Sequence, residues 1–212
     1  MNYKLTDVSI KVFGRKLFQI EAIVSFKNVK KGDKGGYIES KKNLSGNAWV
    51  SGNARVSGNA WVYGDAWVYG DAWVYGNARV SGHAWVYGDA WVYGDAWVYG
   101  DAWVYGNARV SGHAWVYGHA RVYGDARVYG DARVYGNAWV YGDAKKSPIN
   151  IISLKYNITI LDAQIQIGCE FHSKEDWDKF TNKEILSMDG KEALKWWKIH
   201  KSLILGIYNA NR

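Results

Sequence analysis

The sequence predicts an all-β solenoid, in which a short strand and a sharp corner alternate over about half the chain. Three observations predict it. From residue 43 to residue 144 a six-residue phrase recurs about seventeen times, as in GDAWVYGDAWVYGDAWVYG from Gly88 to Gly106. Ala and Val hold alternate positions in the phrase, from Ala48 and Val50 to Ala138 and Val140. Each phrase closes on Gly followed by Asn, Asp or His.

Alternate residues of a strand share a face, so Ala and Val point one way and the Trp/Arg and Tyr/Ser positions point the other. Gly and its polar neighbour make the corner, because both tolerate positive φ. A flat antiparallel meander of this phrase would run to seventeen strands, well past the roughly ten of open sheets, with its Ala/Val face bare. Corners that all bend the same way wind the strands into a parallel solenoid instead, with Ala and Val filling its axis.

Val50 followed four residues later by Ala54, with Gly52 between them, resembles the hexapeptide repeat of left-handed parallel β-helices. That resemblance implies triangular coils of eighteen residues, about six of them here, and side-by-side homotrimers. At ~4.8 Å per stacked strand the coils would rise roughly 27 Å. The flanking stretches KLTD, GDKGGYIE, NLSGNAWV and IGCEFH are similar to those of phage and prophage hexapeptide-repeat proteins, a likeness that implies no activity.

The elements follow in order. Residues 1–42 are expected to form an N-terminal β cap, with two strands in VSIKVFGRKLFQIEAIVSF around a turn at Gly14. Residues 43–146 form the β-helix. Residues 147–212 are expected to add a C-terminal strand and helical cap: SLKYNITILDAQIQIG alternates as strands do, and helices follow. Ser173 with Asp176, Thr181 with Glu184 and Asp189 with Glu192 have capping-box spacing. Caps matter because a parallel solenoid otherwise ends in unpaired edges that polymerise.

Composition narrows the function classes. The single cysteine, Cys169, excludes disulfide stapling within the chain and points to a reducing cytoplasm. No stretch reaches the ~18 apolar residues of a membrane span, and the N-terminus lacks an apolar signal core. The net charge of +7 resides in the ends: residues 1–42 carry ten Lys/Arg against four acids, whereas residues 43–144 carry six Arg against eight Asp. Nucleic acid is therefore not an expected partner of the repeat.

An eighteen-residue coil sorts the outward residues onto three faces. The first holds Trp49, Trp67, Trp85, Trp103, Arg121 and Trp139, beside Ser51, Tyr69, Tyr87, Tyr105, Tyr123 and Tyr141. The second holds Arg55, Trp73, Trp91, Arg109 and Arg127, and the third Trp61, Arg79, Trp97, Trp115 and Arg133. So large an aromatic patch is expected to be covered, by stacking between coils together with self-association, or by a ligand.

Arg109, Arg121, Arg127 and Arg133 are the anion-binding candidates, since arginine among Trp and Tyr suits a nucleotide-like molecule. Asp125 and Asp131 stand nearby, and ion pairing with them is the plainer expectation for the collar of Arg121, Arg127 and Arg133. The fold the chain resembles also hosts acyltransferases that use a histidine and acetyl-CoA. Were this chain one, His83, His113 and His119 would be the catalytic candidates, yet each occupies a corner and no acidic or amide partner stands out. Cys169, His172 and His200 fall short of a closed metal site, so no metal is assigned. Trp177, Trp196 and Trp197 are expected to pack the helical cap onto the solenoid. The expectation is a non-catalytic, oligomeric binding or assembly protein without a cofactor. Its partners would be copies of itself and a host protein or nucleotide-like molecule, in a role such as antagonising a host system. An acyltransferase and a carbohydrate-binding or structural solenoid are the alternatives.

Overall fold

The computed structural model describes residues 1–151 and 154–211, and the chain divides into two compact units, Met1–Ser147 and Pro148–Arg212. The first opens with β1 (Tyr3–Val12) and β2 (Arg15–Ala22), an antiparallel pair turning at Phe13 and Gly14. Both turn residues have positive φ, as a tight hairpin requires. Next come β3 (Lys34–Ile38) and sixteen two-residue strands, β4 (Trp49–Val50) to β19 (Trp139–Val140), one per hexad.

These strands stack in parallel into three sheets of a β-solenoid of about six coils. Each strand pairs with the one eighteen residues later, as Trp67 with Trp85 and Val68 with Val86. Two backbone bonds repeat at every strand step: Trp67 N–H donates to the Ala84 carbonyl and Tyr69 N–H to that of Val86, both near 3.0 Å. The repeat valines are fully buried and the alanines nearly so. Each valine thereby contributes on the order of 1.5 kcal/mol.

The N-terminal strands are built into the solenoid. β3 pairs in parallel with β5 (Arg55–Val56), so the second face continues through β3, β2 and β1 as one eight-stranded sheet. Gly35 and Gly36 permit this join: a Cβ on Gly36 would stand 2.5 Å from the Ala54 carbonyl oxygen. Leu44 bridges to Val62 at the third face, and Ala144 bridges to Val128 at the other end of the second.

The second unit holds an antiparallel sheet, β20 (Ile149–Ile151), β21 (Ile158–Ile160), β22 (Gln164–Ile167) and β23 (Glu170–Ser173), in chain order. Helices α1 (Lys174–Lys179) and α2 (Asn182–Asn211) follow, the second interrupted at Asp189 and Gly190. β20 and β23 extend the expected strands at both ends, while Ser153 of the alternating stretch lies outside the described residues. Ser173 caps α1 with Asp176, and Thr181 pairs reciprocally with Glu184. Asp189 instead sits at the interruption and accepts the Tyr156 hydroxyl at 2.6 Å, and Glu192 pairs with Lys195. Trp177, Trp196 and Trp197, expected from the sequence to pack against the solenoid, lie in this unit's own core. No helix among the described residues is long and apolar enough to cross a membrane.

Candidate functional site

The outward residues of the solenoid form the candidate site, and strand pairing sets their positions. Trp49, Trp67, Trp85, Trp103, Arg121 and Trp139 run up one sheet in register. Beside them Tyr69, Tyr87, Tyr105, Tyr123 and Tyr141 form a continuous ladder, with ring centroids 4.8, 5.0, 5.4 and 5.3 Å apart. Trp67, Trp85 and Trp103 stack at 6.3 and 5.6 Å. Strand spacing is close to ring stacking distance, so a repeated aromatic becomes a column without further instruction.

Tyrosine ladders also occur on the other faces: Tyr75 on Tyr93 at 5.0 Å, and Tyr99, Tyr117 and Tyr135 at 4.9 and 5.5 Å. Burial pushes the hydroxyls of Tyr69, Tyr75, Tyr87 and Tyr99 above their ordinary pKa of 10.0.

The arginines continue the tryptophan columns. Arg121 lies between Trp103 and Trp139, 5.0 Å from each ring centroid. Arg79 covers Trp97 at 4.7 Å, Arg109 covers Trp91 at 5.1 Å and Arg133 covers Trp115 at 5.0 Å. The expected pairing of the arginine collar with Asp125 and Asp131 is absent among the described salt bridges. An outward strand residue faces the same position one coil away, an indole about 5 Å off, whereas the aspartates sit at the corners. Arg127, in register with Arg109, has no tryptophan over or under it in its column.

Two phenylalanines outside the repeat cover indoles as well. Phe13, at the β1–β2 turn, lies parallel on Trp73 at 5.2 Å and leaves it 7% exposed. Phe26 meets Trp49 edge-on, and Trp49 is 3% exposed. Sequence reasoning missed both, because no repeat spacing links them to their partners.

Each repeat histidine has a partner that the eighteen-residue offset would have found. His83 Nδ1 faces Asp65 at 3.8 Å, His113 faces Asp95 at 3.9 Å and His119 faces Asp101 at 3.7 Å. The expectation that no acidic group stands near them is therefore corrected. These separations exceed hydrogen-bond length, and the three imidazoles are well exposed at the corners. Lys27 and Asn47 hold the Asp65 carboxyl below its ordinary range.

In the second unit His172 pairs with Glu170 at 3.1 Å and sets its ring edge against Trp177 and Phe180. His200 stacks on Trp196 at 4.4 Å, and Cys169 is exposed. Among the described residues no group of three or more His, Cys, Asp and Glu side chains is placed to hold a metal ion. A cavity of about 280 Å³ in this unit is walled by Tyr156, Trp177, Trp196 and Trp197, with Glu170 and Asp189 at its lining.

Six stretches of the repeat, residues 48–64, 54–70, 72–88, 102–118, 114–130 and 126–142, match the family model described as YdcK Beta solenoid repeat. The repeat is thus similar to that of a β-solenoid family, in agreement with the three stacked sheets. No curated protein matches the chain.

Proposed function

We propose that this protein is a non-catalytic binding protein that works as a homotrimer. In this reading the first face packs against copies of the chain, and the arginines of the other faces meet an anionic, flat ligand or a host protein. The observation that carries it is the stacking of guanidinium on indole on those faces, Arg109 on Trp91, Arg79 on Trp97 and Arg133 on Trp115, at 4.7 to 5.1 Å. Stacked arginine keeps its charge while its plane is held in place, which suits it to planar anions. The first face supports self-association: Trp85, Trp139 and Tyr141 stay 37%, 43% and 45% exposed after the columns have stacked. The likeness of the flanks to phage hexapeptide-repeat proteins fits a role in antagonising a host system by sequestration.

Native mass spectrometry of the protein purified from the cells that make it tests the proposal. The expected result is a trimer with an added mass of a few hundred daltons. A bare trimer keeps the assembly half and turns the search to protein partners. A bare monomer overturns the reading.

The histidine–aspartate pairs favour one rival, an acetyl-CoA-dependent acyltransferase. Saturable acetyl-CoA turnover, lost in His83→Ala, His113→Ala or His119→Ala, would establish it in place of the binding reading.

A further inference from the structure

Serine takes the tyrosine position inside two columns, at Ser81 and Ser111, and at the start of the second-face column, at Ser57, and these three positions differ. Ser57 is 2% exposed, lying by Trp73, whose indole nitrogen donates to its hydroxyl at 3.4 Å, beneath the Phe13 stack. Ser81, between Tyr63 and Tyr99, is 9% exposed. Ser111 is only half-buried, and an opening of about 290 Å³ lies over it. Its walls are Tyr93, Tyr129, Arg109, Arg127 and Asp143.

We propose that the gap at Ser111 is a binding site for a planar aromatic ring carrying a phosphate or carboxylate, which takes the place of the missing tyrosine. Tyr93 and Tyr129 stand two coils apart on the second face. Where the ladder below is intact, Tyr75 and Tyr93 stack at 5.0 Å with planes within 3°. The missing rung therefore leaves a slot about 10 Å between flanking rings, the height of one intercalated ring with normal stacking on both sides. An inserted ring gains a stacking contact at each flanking rung, and the solenoid backbone already sets those rungs in place, so little ordering opposes binding.

Charge selects the ligand's other half. Arg109 and Arg127 line the opening, Arg109 oriented by its stack on Trp91 and Arg127 in none of the described salt bridges or ring stacks. With Asp143 the lining carries a net single positive charge. Two guanidinium groups beside a ring slot suit an aromatic monoanion or dianion, and disfavour a neutral or cationic ring. The volume stands at the low end for ligand sites, which suits one ring system with one anionic group.

This inference rests on the binding reading above and assigns it a place and a ligand class. Adenosine 5′-monophosphate is the probe, titrated calorimetrically at low salt against the full chain, with adenosine and ribose 5-phosphate as its separate halves. The nucleotide is expected to bind and each half to bind about tenfold more weakly or worse. Ser111→Tyr completes the ladder with the residue usual at that position. It should melt no lower than the parent and lose affinity about tenfold or more. Arg127→Gln should weaken binding and flatten its salt dependence, while Lys16→Gln, a cation on β2, should change neither. Undiminished binding by Ser111→Tyr overturns this site and leaves the binding reading standing. No binding of any probe to the parent chain overturns the site and removes the flat-anion arm of that reading, a result that the mass of the native assembly reports separately.

Discussion

Val92 shows how single residues carry this fold. It is fully buried, with Val74 and Val110 in register in the adjacent coils. Val92→Ala removes two methyl groups from an axis that cannot collapse to fill the space. The free energy of unfolding should fall by about 2 kcal/mol, read as a lower urea midpoint at unchanged slope. The corner glycines are constrained from two sides. Gly82 has φ +68, and a Cβ there would stand 2.9 Å from the Gly100 nitrogen and 3.0 Å from its oxygen. Gly82→Ala should therefore cost about 2 kcal/mol or more in the same assay, by combining left-handed strain with a clash between coils. Alternation of Ala and Val was readable as burial because strand period alone decides it. The corner clash was not, since it depends on the neighbouring coil.

Among the elements, the tyrosine ladders make a testable pH dependence. Burial raises Tyr69, Tyr75, Tyr87 and Tyr99 above 10.0, and pushes Tyr3, whose hydroxyl donates to the Leu44 carbonyl at 3.0 Å, up to about 12. Folding favours the neutral phenols, so the unfolded chain releases their protons first as pH rises. Their contribution is fully present below pH 10 and is lost as pH climbs through the folded values. Denaturant midpoints should be insensitive to these groups at about pH 8 to 9 and fall above about pH 10, while ultraviolet titration shows a phenolate fraction ionising later than free tyrosine. The ladders were implicit in the repeat, because Tyr69, Tyr87 and Tyr105 are eighteen residues apart. So were the capping pairs Ser173–Asp176 and Thr181–Glu184, whose bonds span three residues. The interruption of α2 was not legible: Asp189 has cap spacing to Glu192, yet its carboxylate goes to Tyr156, thirty-three residues away.

At the scale of the molecule, the N-terminal strands protect an edge. β3 pairs with β5, and behind it stand β2 and β1. Removal of residues 1–38 would bare the backbone of β5 and uncover Trp73 and Trp49. Such a chain should associate with concentration in light scattering, where the full chain keeps a fixed mass. By itself the sequence determined the solenoid, its coil length, its buried axis and the roster of each face, because a six-residue period acts through local backbone geometry and strand alternation. Tertiary structure alone decided which indoles are covered by Phe13 and Phe26, and that arginines lie on indoles and not on aspartates. Those outcomes turn on side chains that meet across coils or from outside the repeat, at distances set by stacking and not by neighbourhood in the chain.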